Sequence, residues 1–204
     1  MNKAENKRLV LFDFDGTLTK RDSLFAFLKF FKGYNYYLKN IIASLPVLIG
    51  YKLGLLDASD AKEKLLTFFF KNITTGEFES RCKQFSEEQL PLILNRPIVE
   101  KFQEHIAQGD RVIIVSASIE KWIKPWANQW DVEVLGTKLA TKDGLITGKF
   151  EGKNCNGQEK VDRIKSYLNV SEFLEIWAYG DSKGDKPMLD MADIAYYKGE
   201  RLVA

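Results

Sequence analysis

The chain of 204 residues carries a single histidine, His105, and only two cysteines, Cys82 and Cys155. One histidine cannot furnish the His-rich ligand sets of two-metal phosphatases, nor a histidine nucleophile backed by a second catalytic histidine. His105 falls in a helically patterned segment and is expected on that helix's surface. The cysteines fit no CxxC or metal-ligand spacing, which reads as two separate thiols in a reducing compartment rather than a disulfide. There is no GxSxG elbow, no GxxxxGK[ST] loop and no Cys-x5-Arg loop. Charge of one sign is also lacking: 30 Lys and Arg face 28 Asp and Glu, a net charge of +2. No strongly basic surface then argues for nucleic acid, and no nucleic-acid partner is expected. The opening MNKAENKR has no apolar core of a leader peptide. The apolar stretch 41–56 is interrupted by Pro46, Gly50, Lys52 and Gly54, and falls short of the ~20 residues that cross a bilayer. A cytoplasmic location is expected. Whatever chemistry the chain performs must rest on carboxylates.

What is present centres on residues 11–20, LFDFDGTLTK. The apolar run 9–12 delivers Asp13 and Asp15 and stops at Gly16. Residues i and i+2 of a strand share a side, so both carboxylates can face one site while Phe14 turns into the core. Gly16 permits a sharp exit. Two acids in a buried run are costly unless a cation or hydrogen bonds satisfy them.

A composition 45 % hydrophobic over this length supports one core with room for a small inserted module. Leu24, Phe27, Leu28 and Phe31 recur at helical spacing, with Asp22 or Ser23 as cap and Gly33 as stop. Residues 34–56 read as helix broken near Pro46, and 62–70 as another. Thr74-x-x-Glu77 is a capping box that opens a further helix toward Leu94. Alternating structure follows: helix 98–108, apolar strand 111–115 ending in Ser116-Ala117-Ser118, helix 119–129 and strand 132–135. A hairpin over 139–150 turns at Asp143-Gly144. Helix 158–168, strand 173–179 ending in Gly180-Asp181, and strand 194–197 complete the chain. Apolar strands alternating with helices give an α/β fold with a mainly parallel, Rossmann-like sheet, in which ligands bind beyond the strands' carboxyl ends. Asp13, Asp15, Ser116 and Asp181 all fall at such ends.

Ser116, with the amides of Ala117 and Ser118 at a helix start, can hold phosphate oxygens or act as a simple N-cap. Lys160 stands near a helix start, where a cation is unfavourable unless an anion offsets it. Asp181 and Asp185, in GDSKGDKP, suit a hard cation such as Mg²⁺.

The order of DFDGT, a serine closing an apolar strand, a lysine and GDxxxD resembles the four motifs of the haloacid dehalogenase superfamily of phosphatases, over essentially the whole chain. The helical block between the first two motifs resembles the type 1 cap of the branch that includes phosphoserine phosphatase. The resemblance implies a core of residues 1–21 and 97–204 and a cap of 22–96. It implies Asp13 as the nucleophile that forms an aspartyl-phosphate, and Asp15 as acid and then base. Ser116 and Ala117 would hold the phosphoryl group, Lys160 would neutralise its charge, and Asp22 would join them in contacting the substrate. Mg²⁺ would take Asp13, the carbonyl of Asp15 and Asp181, with Asp185 binding through water or orienting Lys160.

Phosphoserine phosphatases usually read DxDST, carry glutamate where Asp22 stands here, and follow the serine with two glycines rather than Ala117 and Ser118. These departures count against serine recognition. The chain more closely resembles the phosphatidylglycerophosphatase C group in its aspartate at position 22, its apolar cap stretch and the run Gln158-Glu159-Lys160-Val161. That likeness implies a phospholipid phosphate as substrate, with a small phosphorylated metabolite as the alternative. Residues 34–56, with Lys32, Lys39 and Lys52, then have two uses: packing in the cap core, or peripheral contact with a membrane or acyl chain. A phosphotransferase and a non-catalytic phosphate-binding protein remain as other readings.

Overall fold

The computed structural model describes residues 8–202; residues 1–7 of the opening stretch read above for a leader lie outside them. Its main sheet has the order β3 (Glu133–Thr137), β2 (Arg111–Ile119), β1 (Arg8–Phe12), β6 (Glu175–Gly180), β7 (Ile194–Tyr197), β8 (Glu200–Arg201). All pairs are parallel except β7 with β8. The expected α/β class with a mostly parallel sheet is what the chain adopts. β1 lies between two neighbours, and Leu9 to Phe12 are fully buried, which is why RLVLF is a continuous apolar run rather than an alternating one. The chain leaves β1 toward β2 and β3 on one side and returns to β6 and β7 on the other, so β1 marks the topological switch where such sheets bind ligands. Register pairs Phe12 with both Ile114 and Tyr179. Asp13, just after β1, Ser116, within β2, and Asp181, just after β6, therefore lie along one rim.

Between β1 and α6 (Arg96–Ala107) lie five helices: α1 (Ser23–Phe31), α2 (Tyr34–Lys52), α3 (Ala58–Phe70), α4 (Thr75–Glu88) and α5 (Leu90–Ile93). Asp22 caps α1, Asp57 caps α3, and the Thr74 hydroxyl accepts from the Glu77 amide at 3.2 Å. Phe27 is the hub of the block, stacked on Trp122 of α7 (Glu120–Ala127) at 4.7 Å between centroids and edge-on to Phe78 and Phe85. One apolar cluster runs from Val10 and Phe12 of β1 through to these rings.

β4 (Leu139–Lys142) and β5 (Leu145–Phe150) form the expected hairpin, with Asp143 at φ 51° and Gly144 at φ 75° supplying a left-handed two-residue turn. It pairs with the helical block: Asn72 N–H donates to Ile146 O at 3.0 Å and Ile146 N–H to Ile73 O at 2.7 Å. At Gly148, φ is +81° and a Cβ would lie 2.3 Å from Thr67 Cα, so only glycine lets α3 rest on β5. The remaining helices are α8 (Gln158–Tyr167) and α9 (Lys186–Asp190).

Several expectations change. α2 is unbroken, and Pro46 sits inside it on an exposed face. There, water can hydrate the carbonyl that a proline nitrogen cannot bond. Ser44 is the one buried residue of α2, so most of this stretch is not core. β2 continues through Ser118 to Ile119, and α7 begins only at Glu120; Ser116 is thus a strand residue and not a helix N-cap. His105 is 5 % exposed rather than on the surface. Its Nδ1 pairs with Asp110 at 2.7 Å and its Nε2 with the Tyr179 hydroxyl at 2.9 Å, and these two partners satisfy a ring packed between Phe12 and Trp177. Cys82 and Cys155 are buried free thiols.

Candidate active site

Asp13 follows β1 with its amide donating to Tyr179 O at 2.9 Å. Lys160, in the first turn of α8, is 1 % exposed and directs its ammonium at three acceptors: Asp13 Oδ1 at 2.6 Å, Asp185 Oδ1 at 2.6 Å and Val115 O at 2.8 Å. All three of its protons are used. The two carboxylates offset the unfavourable placing of a cation at a helix start. Burial pushes the Asp13 carboxyl up to about 7, with Asp185 and Asp15 adding to the push and Lys160 opposing it. For Lys160, burial favours the neutral amine, but Asp13 and Asp185 outweigh it and the pKa rises. Burial also opposes ionisation of Asp185, yet Lys160 and the donors of Ser182 hold its pKa below the usual carboxylate value.

Asp15 is held differently. Its Oδ1 accepts the Ser23 amide at 2.7 Å and its Oδ2 accepts the Ser118 hydroxyl. Ser118 Oγ lies 3.2 Å from Ser23 Oγ, which accepts from Trp122 Nε1 at 3.1 Å. A chain of hydroxyls thus ties Asp15 to the core. Asp22 sits on the rim and spends Oδ1 on capping α1, accepting from Leu24 and Phe25 amides at 2.8 and 3.3 Å. Burial and then the charge of Asp15 raise its pKa.

Ser116 Oγ accepts the Ser118 amide at 3.0 Å, so that amide, expected to face a phosphate, is already engaged. Ala117 contributes its carbonyl, which accepts from Thr137 Oγ1 at 2.6 Å and from Lys62 Nζ at 2.7 Å. Lys62 reaches in from α3; burial lowers its pKa against the pull of Asp15 and Asp22. These groups share a cavity of about 320 Å³, walled on its apolar side by Leu24, Phe25, Leu48, Tyr51 and Leu65.

Asp181 completes the rim. Its Oδ1 is buried with no hydrogen-bond partner in the structure, and burial, then Asp185, raises its pKa. Gly16, at φ +84°, passes so close that a Cβ would stand 2.2 Å from Asp181 Oδ2. Asp13, Asp181 and Asp185 can each place a carboxylate oxygen within 4.8 Å of the others. An all-oxygen set with an orphaned carboxylate oxygen fits a hard divalent cation. Asp185 is the least free of the three. Its Oδ1 is on Lys160, and its Oδ2 accepts from the Asp181 amide, the Ser182 amide and the Ser182 hydroxyl.

The family described as haloacid dehalogenase-like hydrolase matches residues 10–190. The chain belongs to this family. The haloacid dehalogenase-like chain is 35 % identical over 196 residues to Protein CicA of Caulobacter vibrioides, covering 93 % of this chain and 85 % of that one. A phosphoserine phosphatase of Lactococcus lactis is 32 % identical over 91 residues, 43 % of this chain and 42 % of that protein. Among solved structures, a Bordetella pertussis protein of unknown function superposes with a TM-score of 0.81 at 26 % identity, covering 93 % of this chain and 89 % of that one. A substrate-bound phosphoserine phosphatase shares the fold at 18 % identity, with a TM-score of 0.65 and coverage of 94 % and 85 %.

The haloacid dehalogenase-like site also brings in the side chains of Ser118, Ser23 and Lys62, none of which was expected there. Ser118 stands two residues after Ser116 on a strand, a spacing that puts both on one side and was available as a signal. Lys62 gave none, since it reaches the site from α3, and Ser23, eight residues after Asp15, was marked only as a candidate helix cap.

Proposed function

We propose that the protein is a Mg²⁺-dependent phosphomonoester hydrolase working through an aspartyl-phosphate on Asp13. The observation that carries this reading is the buried Asp13–Lys160–Asp185 array at the switch point of the sheet, with Asp15 two residues on. Lys160 holds Asp13 Oδ1, leaving Oδ2 to attack phosphorus. A bond forms from Oδ2 to phosphorus as the bond to the leaving alcohol oxygen breaks, and Asp15 protonates that oxygen. Water then attacks phosphorus, Asp15 takes its proton, and the acyl-phosphate bond breaks to restore Asp13. While Asp15 carries the proton, the Ser118 hydroxyl can turn its own hydrogen to Ser23 Oγ. The Ser116 hydroxyl and the Ala117 amide would donate to the phosphoryl oxygens. Asp13, Asp181 and the carbonyl of Asp15 would hold the Mg²⁺, with Asp185 orienting Lys160. When bound, the ion neutralises phosphoryl charge that would otherwise repel a carboxylate nucleophile.

In this reading residues 22–96 act as a type 1 cap over a core of 1–21 and 97–204, in the cytoplasm. The apolar wall of the cavity supports a phospholipid phosphate, such as phosphatidylglycerophosphate, as substrate. Likeness to the Lactococcus lactis phosphoserine phosphatase supports a second reading, phosphoserine or another small phosphorylated metabolite. Phosphate release from phosphatidylglycerophosphate in detergent and from phosphoserine, side by side with Mg²⁺, separates them, with Asp13→Asn as the blank. Preference for the lipid is expected; preference for phosphoserine would replace the first reading with the second. Release no greater than the blank from either, and from an aryl phosphate, would overturn both.

A further inference from the structure

Along α2 the residues Tyr34, Leu38, Ile42, Leu45 and Ile49 are each between 42 and 68 % exposed. At about 100° per residue they fall within an arc of roughly 80° and make one outward apolar stripe. Scattered exposed apolar residues are ordinary, but a contiguous row marks a contact surface. Its electrostatic setting is one-sided. Between Asp22 and Asp57 the sequence has no Asp or Glu, against four lysines, Lys29, Lys32, Lys39 and Lys52. Lys32 is paired with Glu77 at 2.9 Å, whereas Lys39 and Lys52 stand exposed on α2 itself.

We propose that this face of α2 lies in the plane of an anionic lipid surface, the stripe entering the headgroup boundary and the lysines meeting lipid phosphates. No helix among the described residues is long and apolar enough to cross a membrane, so the contact is peripheral. A helix that exposes an apolar row and carries cations but no acids is matched to such a surface by both apolar area and charge. A second copy is a poorer occupant. A twofold pairing through the same face would bring its lysines toward their counterparts with no acid to offset them. The same helix turns Leu48 and Tyr51 into the cavity that holds Asp13, so docking would set the cavity mouth beside the headgroups. That consequence rests on the phosphatase reading; the docking itself does not.

The test is co-sedimentation of the full chain with vesicles of phosphatidylcholine, and of phosphatidylcholine mixed with phosphatidylglycerol in equal parts. Binding to the mixed vesicles is expected to be about tenfold or more tighter, and to weaken with salt. The variant Leu38→Gln/Ile42→Gln/Ile49→Gln loses vesicle binding, and Lys39→Gln/Lys52→Gln loses the preference for the anionic lipid. Both keep the unfolding midpoint and the turnover of a soluble aryl phosphate. Wild-type protein that sediments with neither vesicle, or variants that bind as the wild type does, would overturn the proposal. So would a concentration-dependent dimer, lost in the triple variant, from a protein that ignores vesicles. Asp13→Asn binds vesicles normally, so a protein that docks but releases no phosphate refutes the catalytic reading alone.

Discussion

At the scale of single residues, the site turns on one ammonium shared by two carboxylates. Removing it leaves Asp13 and Asp185 facing each other without a counter-charge in a buried place. Lys160→Met is therefore expected to cost about 3–5 kcal/mol in urea unfolding above neutral pH, and Asp13→Asn in the same chain to restore part of it. Strict additivity of the two changes would show that the groups do not interact. That Asp13 and Asp15 would meet at one cavity was legible because carboxylates have few reasons to end an apolar run. The period of two expected to align them does not apply, since β1 ends at Phe12 and both acids lie in the turn beyond it. Asp181, Lys160 and Asp185 were legible from their order along the chain. Ser23 and Lys62 were not: the hydroxyl of Ser23 meets Ser118 across 95 positions, and Lys62 meets Ala117 across 55, and nothing local marks either. His105 misled because helical spacing reports a position on a helix, not the Asp110 and Tyr179 partners that make burial tolerable.

At the scale of elements, the β4–β5 hairpin was read correctly from Asp143-Gly144, since few other pairs accept two left-handed conformations. Its attachment to the helical block was invisible, because it is made by backbone atoms whose partners no side-chain pattern encodes. The two glycines of that hairpin should differ in their response to substitution. Gly144→Ala meets open space and costs about 1–2 kcal/mol for its left-handed φ. Gly148→Ala adds the collision with Thr67 and is expected to cost about 2–5 kcal/mol; equal urea midpoints for the two would contradict this packing. The extent of α2 was only partly legible. Apolar residues occur all around it, so periodicity names no buried face, and Pro46 argued for a break that an exposed helix does not need.

At the scale of the whole molecule, a raised Asp13 links folding to pH, and with it the proposed cation binding. The folded protein keeps a proton on Asp13 up to about 7, whereas the unfolded chain releases it near the ordinary value of 3.8. The contribution of Asp13 to stability is thus full below that ordinary value and is lost as pH rises through the folded value. Asp185, shifted down, acts oppositely and contributes above its ordinary value. In cation-free protein, Asp13→Asn should therefore gain stability relative to wild type as pH rises from 3.8 to about 7. A difference in urea midpoints that stays flat over that span would contradict the assigned burial. Mg²⁺ binding in the wild type should strengthen over the same span and release protons, measured by calorimetry in buffers of unlike ionisation enthalpy.

The central claim is that Asp13 carries the phosphoryl group. Protein quenched in acid while turning over a radiolabelled phosphomonoester with Mg²⁺ should retain label on the peptide containing Asp13. Hydroxylamine, which cleaves acyl phosphates but not serine esters, should release it, and Asp13→Asn should retain none. Label that resists hydroxylamine and maps to Ser116, or full turnover by Asp13→Asn, would contradict the account.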